Sequence, residues 1–267
     1  MSEQAMFITQ LDSFLIKFKS LHNLHKQKLN NYREMEKIIG EFTSFVLNKK
    51  NEAVWQQLEP RYNEVLAWRV EELREQSALC VCAMEKYRAI ELQRNKQDIT
   101  DYFNNIESCI KNEFGSFEIT SDSKVLLIGS GAFPMTPLLI AKKTGAEVVG
   151  IDIDPEAISL GKIVVNILNK NARITLNGCS VDHLDFTKEA SHIIICSIIR
   201  EKFDILKQLH ALTPKDVVVS MRYGNGIKSL FNYPLQKVDH SLWNLVDSVS
   251  QSESVFDIAL YKKSGEI

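Results

Sequence analysis

Residues 125–154 read VLLIGSGAFPMTPLLIAKKTGAEVVGIDID, and this stretch constrains the fold more than any other part of the chain. A short apolar run, Val125 to Ile128, stops at Gly129-Ser130-Gly131. A helix-like segment follows, and a second apolar run from Val148 to Ile151 ends in Asp152. Short apolar runs joined through a glycine turn and a helix specify a β–loop–α–β unit with buried parallel strands. Glycines at that turn let backbone approach a ligand, and an acid at the tip of the second strand can accept both ribose hydroxyls. Gly131 and Asp152 lie 21 positions apart, against about 20 for a ribose-binding acid.

Pro134 stands where a dinucleotide fingerprint carries its third glycine. That glycine permits close helix–strand packing beside a pyrophosphate. Its replacement argues against NAD and for an adenosyl ligand without a diphosphate, which S-adenosylmethionine (SAM) is. A structural turn with no ligand is the competing reading.

The rest of the chain divides by periodicity. Residues 1–117 read as an all-helical domain, with Phe7, Leu11, Phe14, Leu15, Phe18 and Leu21 at helical spacing and Met35, Ile38, Ile39, Phe42, Phe45 and Val46 repeating the pattern. Pro60 opens a long third helix, and Ile99 to Phe114 reads as a fourth that Gly115 stops. Residues 118–267 alternate strand and helix, as in a Rossmann-like, doubly wound α/β sheet. Strands are expected at Val125–Ile128, Val148–Ile151, Arg173–Leu176, Ile193–Cys196, Val217–Met221 and Val255–Tyr261, and helices at Met135–Lys143, Pro155–Leu168 and Glu201–Leu209.

Charge and cysteine usage narrow the function classes. The formal net charge of −2 over 267 residues supplies no basic field for nucleic acid or an anionic membrane. No run approaches the roughly 18 apolar residues of a membrane span. MSEQAMFITQLDSF lacks the basic and then apolar stretch of a signal peptide, so a cytoplasmic location is expected. The five cysteines are scattered, the six histidines form no ligand motif, and no metal site is expected.

In a doubly wound sheet the ligand sits outside the carboxyl ends of the strands. That places Gly129, Ser130, Gly131 and Pro134, then Asp152 with Ile153, then Ser180 and Val181, and finally Ser197, around one cofactor pocket. Within the helical half, Glu85 lies in CVCAMEKYRAIELQR. Packed on that pocket it would be desolvated and made a better base; otherwise it is a surface glutamate beside Lys86 and Arg88. Tyr102 and Asn104 stand in DYFNNIE, where a phenol and an amide can hold a substrate, although capping by Thr100 or Asp101 explains part of the pattern. Arg222 follows the fifth strand, where a guanidinium can grip a substrate carboxylate or form a salt bridge to a surface acid.

The loop Ile128-Gly129-Ser130-Gly131-Ala132-Phe133-Pro134-Met135-Thr136 resembles the cofactor loop of nicotianamine synthases and their bacterial relatives. DYFNNIESCIKNEFG, GIDID, VVVSMRYGNGIKSLFNYP and FDIALYK extend the resemblance across both halves, toward the D-histidine 2-aminobutanoyltransferases of staphylopine-type metallophore pathways. The resemblance implies that SAM donates its 2-aminobutanoate arm to the amine of histidine, D-histidine above all, and that methylthioadenosine leaves. It implies Glu85 as the catalytic base, Tyr102 as its partner, and a possible homodimer. A related enzyme using L-histidine or another amino acid, a SAM-dependent small-molecule methyltransferase, and a non-catalytic SAM-binding scaffold remain as alternatives.

Overall fold

A computed structural model describes residues 2–26, 32–58, 60–95, 113–115 and 117–265. The helical half comprises α1 (Glu3–Lys26), α2 (Tyr32–Val46), α3 (Lys49–Gln57) and α4 (Pro60–Asn95) among the described residues. The apolar stripes read from the sequence form its core. Phe14 and Phe18 of α1 meet Phe42 of α2 at ring separations of 5.0 and 5.3 Å. Helix α3 was not expected. It is capped by Asn48, which accepts from the Lys50 N–H, and buries no side chain completely, so no apolar stripe announces it.

Helix α4 serves two cores. Leu66, Leu73, Cys80 and Ala83 pack into the helical bundle. Two turns further on, Ala89 and Leu92 pack against Phe133, Met135, Leu138 and Ile158 of the sheet half. Glu85 lies at the crossover between them.

The sheet half contains β1 (Lys124–Ile128), α5 (Met135–Thr144), β2 (Glu147–Ile151), α6 (Pro155–Leu168), β3 (Ile174–Asn177), β4 (His192–Ile195), α7 (Lys202–Leu212), β5 (Val218–Tyr223), β6 (Trp243–Val249) and β7 (Asp257–Lys263). The strand order is β3-β2-β1-β4-β5-β7-β6. The first five strands are parallel, and β7 and β6 pair antiparallel at one edge. The mixed α/β, Rossmann-like expectation holds, with one addition. β6 buries one residue fully and exposes the next five, so it carries no apolar alternation to read. The chain order reverses between β1 and β4, which opens a crevice at their carboxyl ends.

Local signals fix the elements that flank that crevice. Asp154 caps α6 by accepting from the N–H groups of Glu156 and Ala157, and Pro155 supplies the preset first turn. Gly145, at φ 73°, closes α5 in the left-handed conformation that glycine tolerates.

The two halves interlock. After β5 a short 3₁₀ turn, Gly226–Leu230, enters the helical bundle and buries Ile227, Leu230 and Phe231 in its core. Phe231 stacks on Phe42 at 5.4 Å. Each such side chain contributes about 1.5–3 kcal/mol on burial, which fixes α4 over the sheet.

Candidate active site

The sheet supplies a bare glycine loop. Gly129 and Ser130 both donate backbone hydrogen bonds to the Ile151 carbonyl, at 2.9 and 3.0 Å, which ties the loop to β2. Gly129 and Gly131 hold φ values of 85° and 67°. A Cβ on Gly129 would lie 3.0 Å from Ile199 and 3.2 Å from Cβ of Cys196. The Cys196 thiol donates to the Gly129 carbonyl at 3.1 Å, and burial pushes its pKa up to about 11.

The close packing that a third loop glycine would give comes from the neighbouring helix. A Cβ on Gly161 of α6 would stand 3.3 Å from the Gly131 carbonyl and 3.6 Å from Cδ of Pro134. Pro134 therefore faces a glycine across the interface instead of being one.

Asp152 braces the loop. Its Oδ2 accepts from the Gly131 N–H at 2.9 Å and its Oδ1 from the Asp154 N–H at 3.0 Å. Each carboxylate oxygen offers about two acceptor sites, so one on each remains for a vicinal diol. The next residue, Ile153, is 94% exposed, an apolar side chain standing free beside that acid.

The helical half contributes the group that changes the chemistry. Glu85 reaches from α4 until its Oε2 abuts Gly131, and it accepts from the Ala132 N–H. Solvent still reaches part of the side chain through the crevice, while protein surrounds it on the other sides. Burial first, and then the charge of Asp152, push its pKa up to about 8; Arg88 and the Ala132 N–H oppose the shift. A carboxyl group titrating there is suited to accept a proton near neutral pH. Lys86, one residue on, bonds Asp154 and Glu156 at 2.6 Å each and pins α4 to the start of α6.

The remaining expected residues have distinct placements. Ser130 is buried and its side chain lies against Gly150, where an added Cβ would be 2.8 Å from the serine Cβ; its Oγ has no hydrogen-bond partner among the described residues. Val181 begins a 3₁₀ turn with its side chain in the core, so its N–H has no partner within that turn. The Ser180 hydroxyl is taken by Asp182 and His183. Ser197 sits at the end of β4, and its carbonyl accepts from the Tyr233 N–H. Tyr102 and Asn104 lie outside the described residues.

Arg222 is engaged within the protein. Its Nε and Nη2 edge meets Glu113 at 3.1 and 2.8 Å. Glu113 is fully buried and requires that cation; the Ser220 hydroxyl donates to it as well, at 2.7 Å. Nothing in the sequence flags Glu113, because its partners lie more than a hundred positions away. Lys202 was also missed. It is completely buried, with its ammonium donating to the carbonyls of Ser197, Arg222 and Tyr233 at 3.4, 3.1 and 2.6 Å. Among the described residues no group of three or more His, Cys, Asp or Glu side chains is placed to hold a metal ion.

The residues present thus fit an adenosyl group, with bare backbone at the loop, a braced acid and a free apolar side chain beside it. Residues 19–259 match the family described as nicotianamine synthase protein. The chain belongs to the nicotianamine synthase family. Two curated relatives share the name L-histidine 2-aminobutanoyltransferase. The one from Pseudomonas aeruginosa is 29% identical over 193 residues, 72% of this chain and 73% of its own. The one from Yersinia pestis is 28% identical over 243 residues, 90% and 89% of the two chains. Among solved structures, MtNAS in complex with MTA and tNA superposes with a TM-score of 0.78 at 14% identity, covering 97% and 98%. A mutant of MtNAS in complex with S-adenosylmethionine gives 0.72 at 14% identity over 94% and 98%. These structural likenesses establish that the nicotianamine synthase fold runs through both halves of the chain.

Among the described residues no helix is long and apolar enough to cross a membrane.

Proposed function

We propose that this member of the nicotianamine synthase family transfers the 2-aminobutanoate arm of SAM to the α-amine of histidine and releases methylthioadenosine. The observation that carries the proposal is the seat of Glu85. A carboxyl group from the helical half rests on the cofactor loop of the sheet half, beside the acid that suits a ribose. A SAM-binding scaffold has no need of a base at that point.

Asp152 holds the ribose, with Ile153 against the base, and the Gly129–Gly131 backbone lets the nucleoside lie close to β1. The acceptor's ammonium group gives a proton to Glu85 and becomes a nucleophile. Its nitrogen attacks the methylene carbon of the aminobutanoate arm next to sulfur. A C–N bond forms, the C–S bond breaks, and the electron pair leaves on the sulfur of methylthioadenosine. The sulfonium bears three electrophilic carbons, so the outcome depends on which one stands about 3–3.5 Å from the nitrogen in line with the departing sulfur. Because the sulfonium is already an activated leaving group, the reading needs no metal. Tyr102 keeps the role that the resemblance gives it, orienting the amine, and the Asn104 amide, read from the residue pattern, contacts the acceptor carboxylate.

The relatives are named for L-histidine. The resemblance read from the sequence implies D-histidine and a staphylopine-type metallophore precursor. The deciding experiment incubates the purified protein with SAM and each histidine enantiomer, then identifies products by mass spectrometry. Methylthioadenosine together with aminobutanoyl-histidine is the expected result, and the enantiomer consumed assigns the stereochemistry. S-adenosylhomocysteine with a methylated product would overturn the transfer reading. A homodimer belongs to the same reading by family resemblance, and a cytoplasmic location is proposed beside it.

A further inference from the structure

Glu85 and Asp152 stand beside β1 and β2, where Lys86 pairs with Asp154; beyond β4 and β5 stand Arg74 and Lys202, with Arg200 paired to Glu71 and Glu75. Arg74 and Glu85 stand on one face of α4, eleven positions apart, about 16 Å along the axis. Between them the helix carries Ser77, Ala78, Val81 and Cys82 on that side, all without long side chains, so the wall there is low.

Tyr233 is fixed at the end of the crevice far from Glu85. Its N–H donates to the Ser197 carbonyl at 3.1 Å, and its own carbonyl accepts from Gly224 N–H at 3.2 Å and from Lys202 Nζ at 2.6 Å. The Arg74 guanidinium lies over its ring at 4.7 Å while donating to the Ser229 carbonyl at 2.9 and 2.8 Å. Backbone and ring face are thereby held from several directions, yet no described residue hydrogen-bonds the hydroxyl. Burial pushes the phenol's pKa up, so the hydroxyl stays a neutral donor. Lys202 is the more unusual member. All the hydrogen bonds of its buried amine go to backbone carbonyls, with no carboxylate partner, and burial pushes its pKa down to about 7. The carbonyls it holds belong to the ends of β4 and β5 and to Tyr233, three segments that meet at this rim.

We propose that Tyr233 donates its hydroxyl to the carboxylate of the amino-acid acceptor, with Lys202 and Arg74 as positioning residues that set its place. The inference rests on the transfer reading above and adds the acceptor's orientation to it: amine toward Glu85, carboxylate toward Tyr233. An opposite orientation would bring the carboxylate against Glu85 and Asp152, where like charges repel.

The test uses the full chain and measures methylthioadenosine release with histidine and with histamine, which lacks the carboxylate, alongside calorimetric titration of SAM. Tyr233→Phe keeps the ring. It should raise the KM for histidine about 10–100-fold, the range of one hydrogen bond to a charged group. It should leave the Kd of SAM within about twofold and narrow the preference for histidine over histamine. Lys202→Met should give the same split between acceptor KM and SAM Kd; if that variant does not fold, Tyr233→Phe decides alone. An unchanged histidine KM, or equal losses for histidine and histamine, overturns the assignment while leaving the transfer reading intact. Wild-type protein that releases no methylthioadenosine with either compound overturns both.

Discussion

Oε2 of Glu85 rests against Gly131, although the two residues belong to different halves of the chain. A Cβ at Gly131 would overlap that oxygen and lie 3.4 Å from Cδ of the same carboxylate. Gly131 also holds φ 67°, so alanine there is strained as well as crowded. If Glu85 is the base of the proposed function, Gly131→Ala should displace it and lower kcat on the order of 100-fold, a loss in the range of one general base. In a Glu85→Gln background the same change should cost little more, because both act on one group. Steady-state rates of the two single variants and the double variant measure the coupling. Additive losses would separate the glycine from the carboxylate.

The raised pKa of Glu85 makes a pH prediction with a definite sign. The base must be ionised to accept a proton, so kcat/KM should rise with pH through about 8, the value of the free protein. A bound cation beside the carboxylate favours its ionised form, so the profile of kcat should lie at lower pH than that of kcat/KM. Glu85→Gln should remove this ascending limb. Its persistence in the variant would assign the titration to another group.

Stability should move the opposite way. A carboxyl whose pKa is raised from about 4.5 to about 8 in the folded chain holds its proton there, while the unfolded chain has released it. Between those values the unfolded state binds fewer protons, so stability falls as pH rises. Glu85→Gln removes the loss. Its Tm should match that of the wild type near pH 4 and exceed it at pH 8.5, by about 2–4 °C for each kcal/mol relieved. Thermal melts at the two pH values test this, and a constant Tm difference would contradict it.

Asp152 carries two loads, since it braces the glycine loop and, in the proposed function, holds the ribose. Asp152→Ala removes the acceptors of the Gly131 and Asp154 N–H groups together with the diol contact. Hydrogen bonds to a charged group contribute about 1.5–3 kcal/mol, so the Kd of SAM should rise roughly 10–100-fold. Calorimetric titration with an unchanged Kd would place the ribose elsewhere.

The parts of this arrangement that local chemistry specifies were legible in the sequence. The run from Asp154 through Leu168 combines a cap, a proline and an apolar stripe, and α6 has the bounds Pro155–Leu168 read from it. Strands β1 and β2 are buried nearly throughout and read as continuous apolar runs. Helix α3 and strand β6 bury too little to leave a pattern. Gly161, Glu113 and Lys202 acquire meaning only from partners distant in sequence, and no periodicity reports on those. Glu85 is intermediate: its residue pattern alone allows a surface glutamate, and only the docking of α4 on the loop desolvates it.

Arg222 gives the last prediction, because its pairing with Glu113 decides what its guanidinium is for. Removing one partner of a buried ion pair strands the other, at a cost of about 3–5 kcal/mol. Glu113→Gln should therefore lower Tm by about 6–20 °C at the usual 2–4 °C per kcal/mol. Replacing both, as Glu113→Leu with Arg222→Met, leaves no buried charge and should restore most of that stability. With an internal role for Arg222 and Tyr233 as the proposed contact of the acceptor carboxylate, the histidine KM of the double variant should stay within about threefold of the wild type. A stable double variant whose histidine KM rises tenfold or more would show instead that Arg222 reaches the substrate past Glu113.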